Sequence, residues 1–297
     1  MATEAEGEFQ TENVSLYTKT WTPTGPIKAK LILIHGFSDH VNWYTDMAGT
    51  LAAHGIQTFG FDQRGWGRSV KKPKEKGLTG PTSQVIADIA AFIQSKLPSI
   101  EPVFVMGHSM GGGEVLTLAG DAKYEKLVSQ VRGWLLEAPF VGFAPEEQPS
   151  ALYIAAGRLA GRLLPKFQLK HVISPYIITR VQEVAKGMDE DPLCHDTGTL
   201  EGLASILDRT AALASGEVKL GKQVRGLWLG MGDTDKACSY DVAVKYVEKQ
   251  PVADKQIKTY KGGYHALHVD LCKEEFCKDM VDWILARSEP APIEAKL

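Results

Sequence analysis

The residues most suited to chemistry in this chain are Gly107-His108-Ser109-Met110-Gly111. They follow a short apolar run, Pro102-Val103-Phe104-Val105-Met106, and precede a segment with helical character. A strand that ends in a sharp turn and runs into a helix projects the central serine hydroxyl from the tip of the turn. Glycines flank the serine because a Cβ there would clash with the neighbouring strand and helix. A serine is a poor nucleophile at neutral pH unless a base takes its proton and an acid orients that base. Both partners follow downstream. Leu227-Trp228-Leu229 runs into Gly230-Met231-Gly232-Asp233-Thr234-Asp235, a loop with two candidate carboxylates. Gln256-Ile257-Lys258-Thr259-Tyr260 runs into Gly262-Gly263-Tyr264-His265, a loop with a candidate base. Each lies just past the carboxyl end of an expected strand, where open α/β sheets build their sites.

Charge stabilisation needs two backbone donors. One is the N–H of Met110, directly after the serine. The other is expected from the loop that follows Leu31-Ile32-Leu33-Ile34, namely His35-Gly36-Phe37-Ser38, and by position it is Phe37. His35 is expected to be a structural hydrogen-bonder. Phe61-Asp62-Gln63-Arg64-Gly65-Trp66-Gly67-Arg68-Ser69 is expected to be a tight scaffold loop held by an internal ion pair. Its glycine spacing fits neither a dinucleotide nor a phosphate loop.

These loops require a framework of alternating strands and helices. Strands are predicted at Val14–Trp21, Ala29–Ile34, Gln57–Phe61, Pro102–Met106, Gly133–Glu137, Val224–Leu229 and Gln256–Tyr260. Helices are predicted at Trp43–His54, Ser83–Leu97, Gly112–Ala119, Tyr240–Glu248 and Lys273–Ala286. The pattern predicts a mostly parallel central sheet flanked by helices. It breaks between about residues 140 and 221, where an inserted cap is expected, with an amphipathic helix over Ala151–Leu164 and irregular loops beyond. The apolar face of that helix either packs on the body or touches lipid.

The 297 residues are 44% hydrophobic, enough for one large domain spanning 1–297 with the cap inside it. The net charge of −3 argues against a general nucleic-acid surface. The polar start, with Glu4, Glu6 and Glu8, is unlike a secretory signal, and no run is long and apolar enough to span a bilayer. A cytoplasmic protein is therefore expected. The cysteines, Cys194, Cys238, Cys272 and Cys277, lack metal-type pairing and are expected to be free thiols; no metal or cofactor is expected.

The chain resembles the α/β-hydrolase superfamily and, within it, the monoacylglycerol lipases of the serine-aminopeptidase-like group. The segments that carry the likeness are His35-Gly36-Phe37-Ser38-Asp39-His40, Phe61 to Gly67, Gly107 to Gly113, Glu137-Ala138-Pro139-Phe140, Asp191-Pro192-Leu193 and Tyr264-His265-Ala266-Leu267-His268. The resemblance implies an α/β-hydrolase fold with an inserted helical cap, and a Ser109–Asp235–His265 triad with Phe37 and Met110 as the oxyanion hole. It favours Asp235 over Asp233 because Lys236-Ala237-Cys238-Ser239 follows. It also implies that Asp39 and His268 face the glycerol moiety; local hydrogen bonding is the competing expectation for both. Phe37 stands where the family usually has a small residue, and Asp39 where it often has glutamate. The implied reaction is hydrolysis of a monoacylglycerol, a small lipid ester, with no cofactor. The cap would allow contact with a membrane or lipid-droplet surface. A general carboxylesterase, lysophospholipase or lactonase would use the same triad, and a binding protein of this fold is the non-enzymatic alternative.

Overall fold

A computed structural model describes residues 2–288 apart from 13, 146, 147 and 149; the remainder of the expected 1–297 domain lies outside the described residues. Eight strands form the main sheet: β1 (Ala2–Gln10), β2 (Ser15–Pro23), β3 (Ala29–Ile34), β4 (Ile56–Phe61), β5 (Val103–His108), β6 (Gly133–Glu137), β9 (Leu227–Gly232) and β10 (Lys255–Tyr260). Their spatial order is β1-β2-β4-β3-β5-β6-β9-β10. The pairs from β4 to β10 are parallel, whereas β2 runs antiparallel to both β1 and β4.

Inner strands are apolar on both faces, so successive residues feed two different cores. In β3, Leu31 and Leu33 pack with α1 (Thr45–Ala53) and α9 (Lys273–Leu285). Ile32 and Ile34 pack on the other side with α2 (Thr82–Gln94), α3 (Met110–Gly120) and α8 (Tyr240–Lys249). A short helix, α4 (Glu125–Val128), precedes β6. Burying each large side chain, such as Phe104 at 0% exposure, contributes about 1.5–3 kcal/mol. This double-sided burial clamps the sheet and fixes the positions of its carboxyl-terminal loops.

Between β6 and β9 the chain forms α5 (Ala151–Leu163), β7 (Gln168–Lys170), α6 (Gln182–Glu190), β8 (Thr197–Thr199) and α7 (Leu200–Ser215). Here the sequence-based expectation of irregular loops is corrected. The Thr199 hydroxyl caps α7 by accepting from Gly202 N–H, and Gly216 ends it at φ 76°. Arg209 of α7 forms a 3.0 Å ion pair with Glu114 of α3, both fully buried, which ties the inserted segment to the helix behind the serine.

One strand lies outside the expected set, and one expected strand is shifted. Ala2–Gln10 is an edge strand with both faces exposed, so it shows no apolar alternation; it is held by its ladder to β2 and by Glu4–Lys19 and Glu6–Arg68 ion pairs. The strand expected at Val224–Leu229 is Leu227–Gly232, extending through Gly230 and Gly232. A Cβ at Gly232 would lie 2.1 Å from the Gly263 carbonyl oxygen, so glycine allows the acid loop and histidine loop to touch.

Candidate active site

Ser109 sits at the carboxyl end of β5 with φ 53° and ψ −118°, a conformation rarely held by a non-glycine residue. Three backbone hydrogen bonds hold it there. Its N–H donates to Glu137 O at 3.0 Å, and its carbonyl accepts from Phe140 N at 2.8 Å and Gly113 N at 3.2 Å. The flanking glycines are required by contact. A Cβ at Gly107 would fall 2.4 Å from Gly111 O, and one at Gly111 would fall 2.4 Å from Ile34 O. The elbow is thus pressed against both its own helix and the end of β3.

Of the two carboxylates, Asp235 meets the histidine: its Oδ2 lies 2.8 Å from His265 Nδ1. Its Oδ1 accepts from the N–H groups of Ala237 and Cys238, which fixes the carboxylate plane. Asp233 is exposed and accepts instead from Gly262 N–H. Burial would push the His265 pKa down, but the Asp235 charge outweighs it, and the imidazole is raised well above its ordinary value. With Nδ1 engaged by Asp235, Nε2 is the nitrogen free to act as base.

Met110 begins α3, so its N–H is among the helical donors with no intrahelical acceptor. Phe37 lies in the loop after β3. Its ring leans edge-on against Trp66, with centroids 4.8 Å apart, and Trp66 stacks on His195 at 5.0 Å. His35 is structural: Nε2 accepts from Gln63 N–H at 2.8 Å. The scaffold loop is not held by an internal ion pair. Arg64 reaches out to Asp88 of α2 at 2.8 Å, while Asp62 accepts from Val41 and Arg68 N–H groups. The insertion grips the Phe37 loop at two points, His40–Asp191 at 2.9 Å and Asp196 N–H to Ser38 Oγ at 2.7 Å.

Ser109, His265, Phe37, Met110, Asp39 and His268 line one cavity of about 720 Å³. Its roof comes from the inserted segment, including Ala156, Ala160, Leu169, Ile178, Leu203 and Leu207. The lining is largely apolar, with polar groups from Asp39, His108, Ser109, His265 and His268 beneath and from Ser174, Asp189 and Asp196 of the inserted segment. Asp39 and His268 combine both expectations, lining the cavity while being locally bonded. Asp39 accepts from Gly36 N, His40 N and Tyr44 Oη. Burial would raise its pKa, but His108, His35 and Tyr44 hold it far below the usual carboxylate range. His268 is held by Glu137, a buried residue that the sequence-based site assignment missed; the Glu137-Ala138-Pro139-Phe140 motif was its only signal. Cys194 and Cys238 also line the cavity, and burial raises both thiols, which disfavours the reactive thiolate. Among the described residues, three clusters have metal-compatible spacing: His40/Asp191/Cys194, His108/Glu137/His268 and Asp235/Cys238/His265. In each, a histidine is already hydrogen-bonded to the carboxylate.

A parallel sheet carrying a serine elbow at its carboxyl edge, with an insertion roofing the site, defines an α/β-hydrolase. The chain matches the serine aminopeptidase S33 family over residues 25–271 and belongs to it. It is 31% identical over 284 residues to a Schizosaccharomyces pombe protein provisionally named a monoglyceride lipase, covering 93% of this chain and 72% of that one. It is 26% identical over 276 residues to the Rattus norvegicus monoglyceride lipase, covering 90% and 83% respectively. Its fold is similar to a soluble variant of the Saccharomyces cerevisiae monoglyceride lipase in complex with a substrate analog, with TM-score 0.85, 20% identity and 97% of each chain covered.

Proposed function

We propose that the chain hydrolyses the ester bond of monoacylglycerols, releasing glycerol and a fatty acid through an acyl-enzyme on Ser109. The observation that carries this is the His265–Asp235 pair and a conformationally strained serine in one largely apolar cavity. His265 Nε2 takes the Ser109 proton as Oγ attacks the ester carbonyl. The N–H groups of Phe37 and Met110 receive the oxyanion. His265 then protonates the departing alcohol, and water enters with His265 again as base. Residues of about 140–221 act as a cap whose apolar underside holds the acyl chain.

The outer face of the cap suits a lipid surface. Leu152, Leu159 and Leu163 are 80%, 58% and 70% exposed. At i, i+7 and i+11 they form a stripe about 40° wide on α5. Ala156 and Ala160, on the adjoining face, line the cavity. Phe167 and Val172 of the same inserted segment are also exposed, and exposed apolar side chains of this kind suit docking on membranes or lipid droplets. No helix among the described residues is long and apolar enough to cross a membrane.

A fluorophosphonate probe tests the site. One probe per chain on Ser109, with labelling lost in His265→Ala, is expected; labelling elsewhere, or undiminished labelling of His265→Ala, would refute the assignment.

A further inference from the structure

Glu137 is fully buried, and nothing in the acyl-transfer steps above uses its side chain. It nevertheless touches both halves of the site. Its backbone carbonyl accepts from Ser109 N–H at 3.0 Å. Its Oε1 accepts from the backbone N–H of His268 at 2.9 Å and lies 2.8 Å from His268 Nδ1, with Oε2 3.0 Å from the same nitrogen. A buried ionised carboxylate is costly unless it is paired and hydrogen-bonded. Burial would raise it, but the hydrogen bonds it accepts from the His268 backbone and ring favour the ionised form and leave it below its ordinary value.

An ionised carboxylate only accepts hydrogen bonds, so Nδ1 of His268 carries the proton. The ring is clamped flat against Tyr44, with centroids 4.2 Å apart and planes 14° apart. Its second nitrogen, Nε2, is buried and has no partner among the described residues. In an imidazolium that nitrogen would be a buried donor without an acceptor; in the neutral ring it offers a lone pair. His268 lines the cavity, and His108 lies between it and His265, with ring centroids 5.2 Å from one and 4.9 Å from the other. The leaving oxygen must reach His265 to be protonated, which brings the alcohol to the cavity that His265, His108 and His268 line.

We propose that Glu137 is a positioning residue for the leaving alcohol: its carboxylate fixes His268 as the Nδ1–H tautomer, making Nε2 the acceptor for a free hydroxyl of that alcohol. This rests on the monoacylglycerol reading, and it accounts for a buried charge that binds the serine elbow and the histidine loop into one unit. An ester whose alcohol has no second hydroxyl gains nothing from it.

The test compares kcat and KM of wild type and Glu137→Gln on 1-dodecanoylglycerol and on methyl dodecanoate. Glutamine keeps an acceptor for the His268 backbone N–H but removes the charge. The ratio of kcat/KM for the glycerol ester to that for the methyl ester is expected to fall about 10- to 100-fold, the worth of a charge-dependent buried hydrogen bond. His268→Gln is expected to give the same split, with the double variant no worse than either single. Equal losses on both esters, or no loss on either, would overturn the proposal. Nitrogen-15 NMR of histidine-labelled wild type reads the tautomer independently of any variant's folding. A protonated Nδ1 with a bare Nε2 is expected, and a protonated Nε2 overturns the proposal. A wild type that cleaves the methyl ester but not the glycerol ester would refute the substrate reading instead, while the NMR result still decides whether Glu137 sets the tautomer.

Discussion

Gly111→Ala puts one methyl group where two backbones meet. The new Cβ would stand 2.4 Å from Ile34 O, 2.6 Å from His35 O and 2.8 Å from Ile34 C, whereas ordinary contact begins at 3.4 Å. Relief requires the start of α3 and the end of β3 to separate by about 1 Å, and neither side is a flexible side chain that could yield. Met110 lies on one side of that gap and the Phe37 loop on the other, so the two proposed oxyanion donors move apart. A misplacement of about 1 Å costs roughly 100-fold in rate, comparable to losing one such donor. The overpacking itself costs about 1–3 kcal/mol of stability. Steady-state kinetics on a soluble ester should therefore show kcat down about 100-fold with KM little changed, and thermal unfolding should shift down by several degrees. Gly49→Ala is the control: it lies inside α1 with nothing within 4 Å of the added Cβ, so activity should hold and stability should rise by about 0.5–1 kcal/mol. If Gly111→Ala kept wild-type kcat and melting temperature, the close approach of the elbow to the end of β3 would be wrong.

The raised pKa of His265 sets the acid limb of the pH–rate profile. The base must be neutral to accept the serine proton, so as pH falls kcat/KM should decline already above pH 6.5; Asp235→Asn should move that limb down and cost about 10⁴-fold in kcat. Replacing Leu152, Leu159 and Leu163 together by serine should weaken binding to phospholipid vesicles about tenfold or more in a sedimentation assay, while turnover of a short soluble ester stays within about twofold. Arg209→Ala leaves Glu114 buried without its partner, and denaturant unfolding should show a loss of about 3–5 kcal/mol.

The elbow is legible in the sequence because crowding leaves no freedom at its flanks: a Cβ at Gly107 or Gly111 would meet backbone atoms at 2.4 Å, so both positions must be glycine around the serine. The parallel core strands are legible because burial on both faces demands continuous apolar runs. Asp233 and Asp235 are separable in structure but hardly in sequence, since both sit in one loop after β9 and only the chain's turn at Ala237 and Cys238 aims the second at His265. β1 is hidden because an exposed edge strand has no apolar period. α7 leaves its signs in Thr199, Gly216 and the spacing of Leu200, Leu203, Leu207 and Leu213, but these are scattered among polar residues. Glu137 is invisible as a functional side chain because its partner, His268, lies 131 residues away.

A Ser109 nucleophile that cleaves monoacylglycerols has a plain signature in glycerol release from mono-, di- and triacylglycerols of one matched acyl chain, with Ser109→Ala as the blank. Rapid release from the monoacylglycerol, little from the others, and none above background from Ser109→Ala is the predicted result. Undiminished release by Ser109→Ala, or a wild type that leaves the monoacylglycerol intact while cleaving other esters, would contradict it.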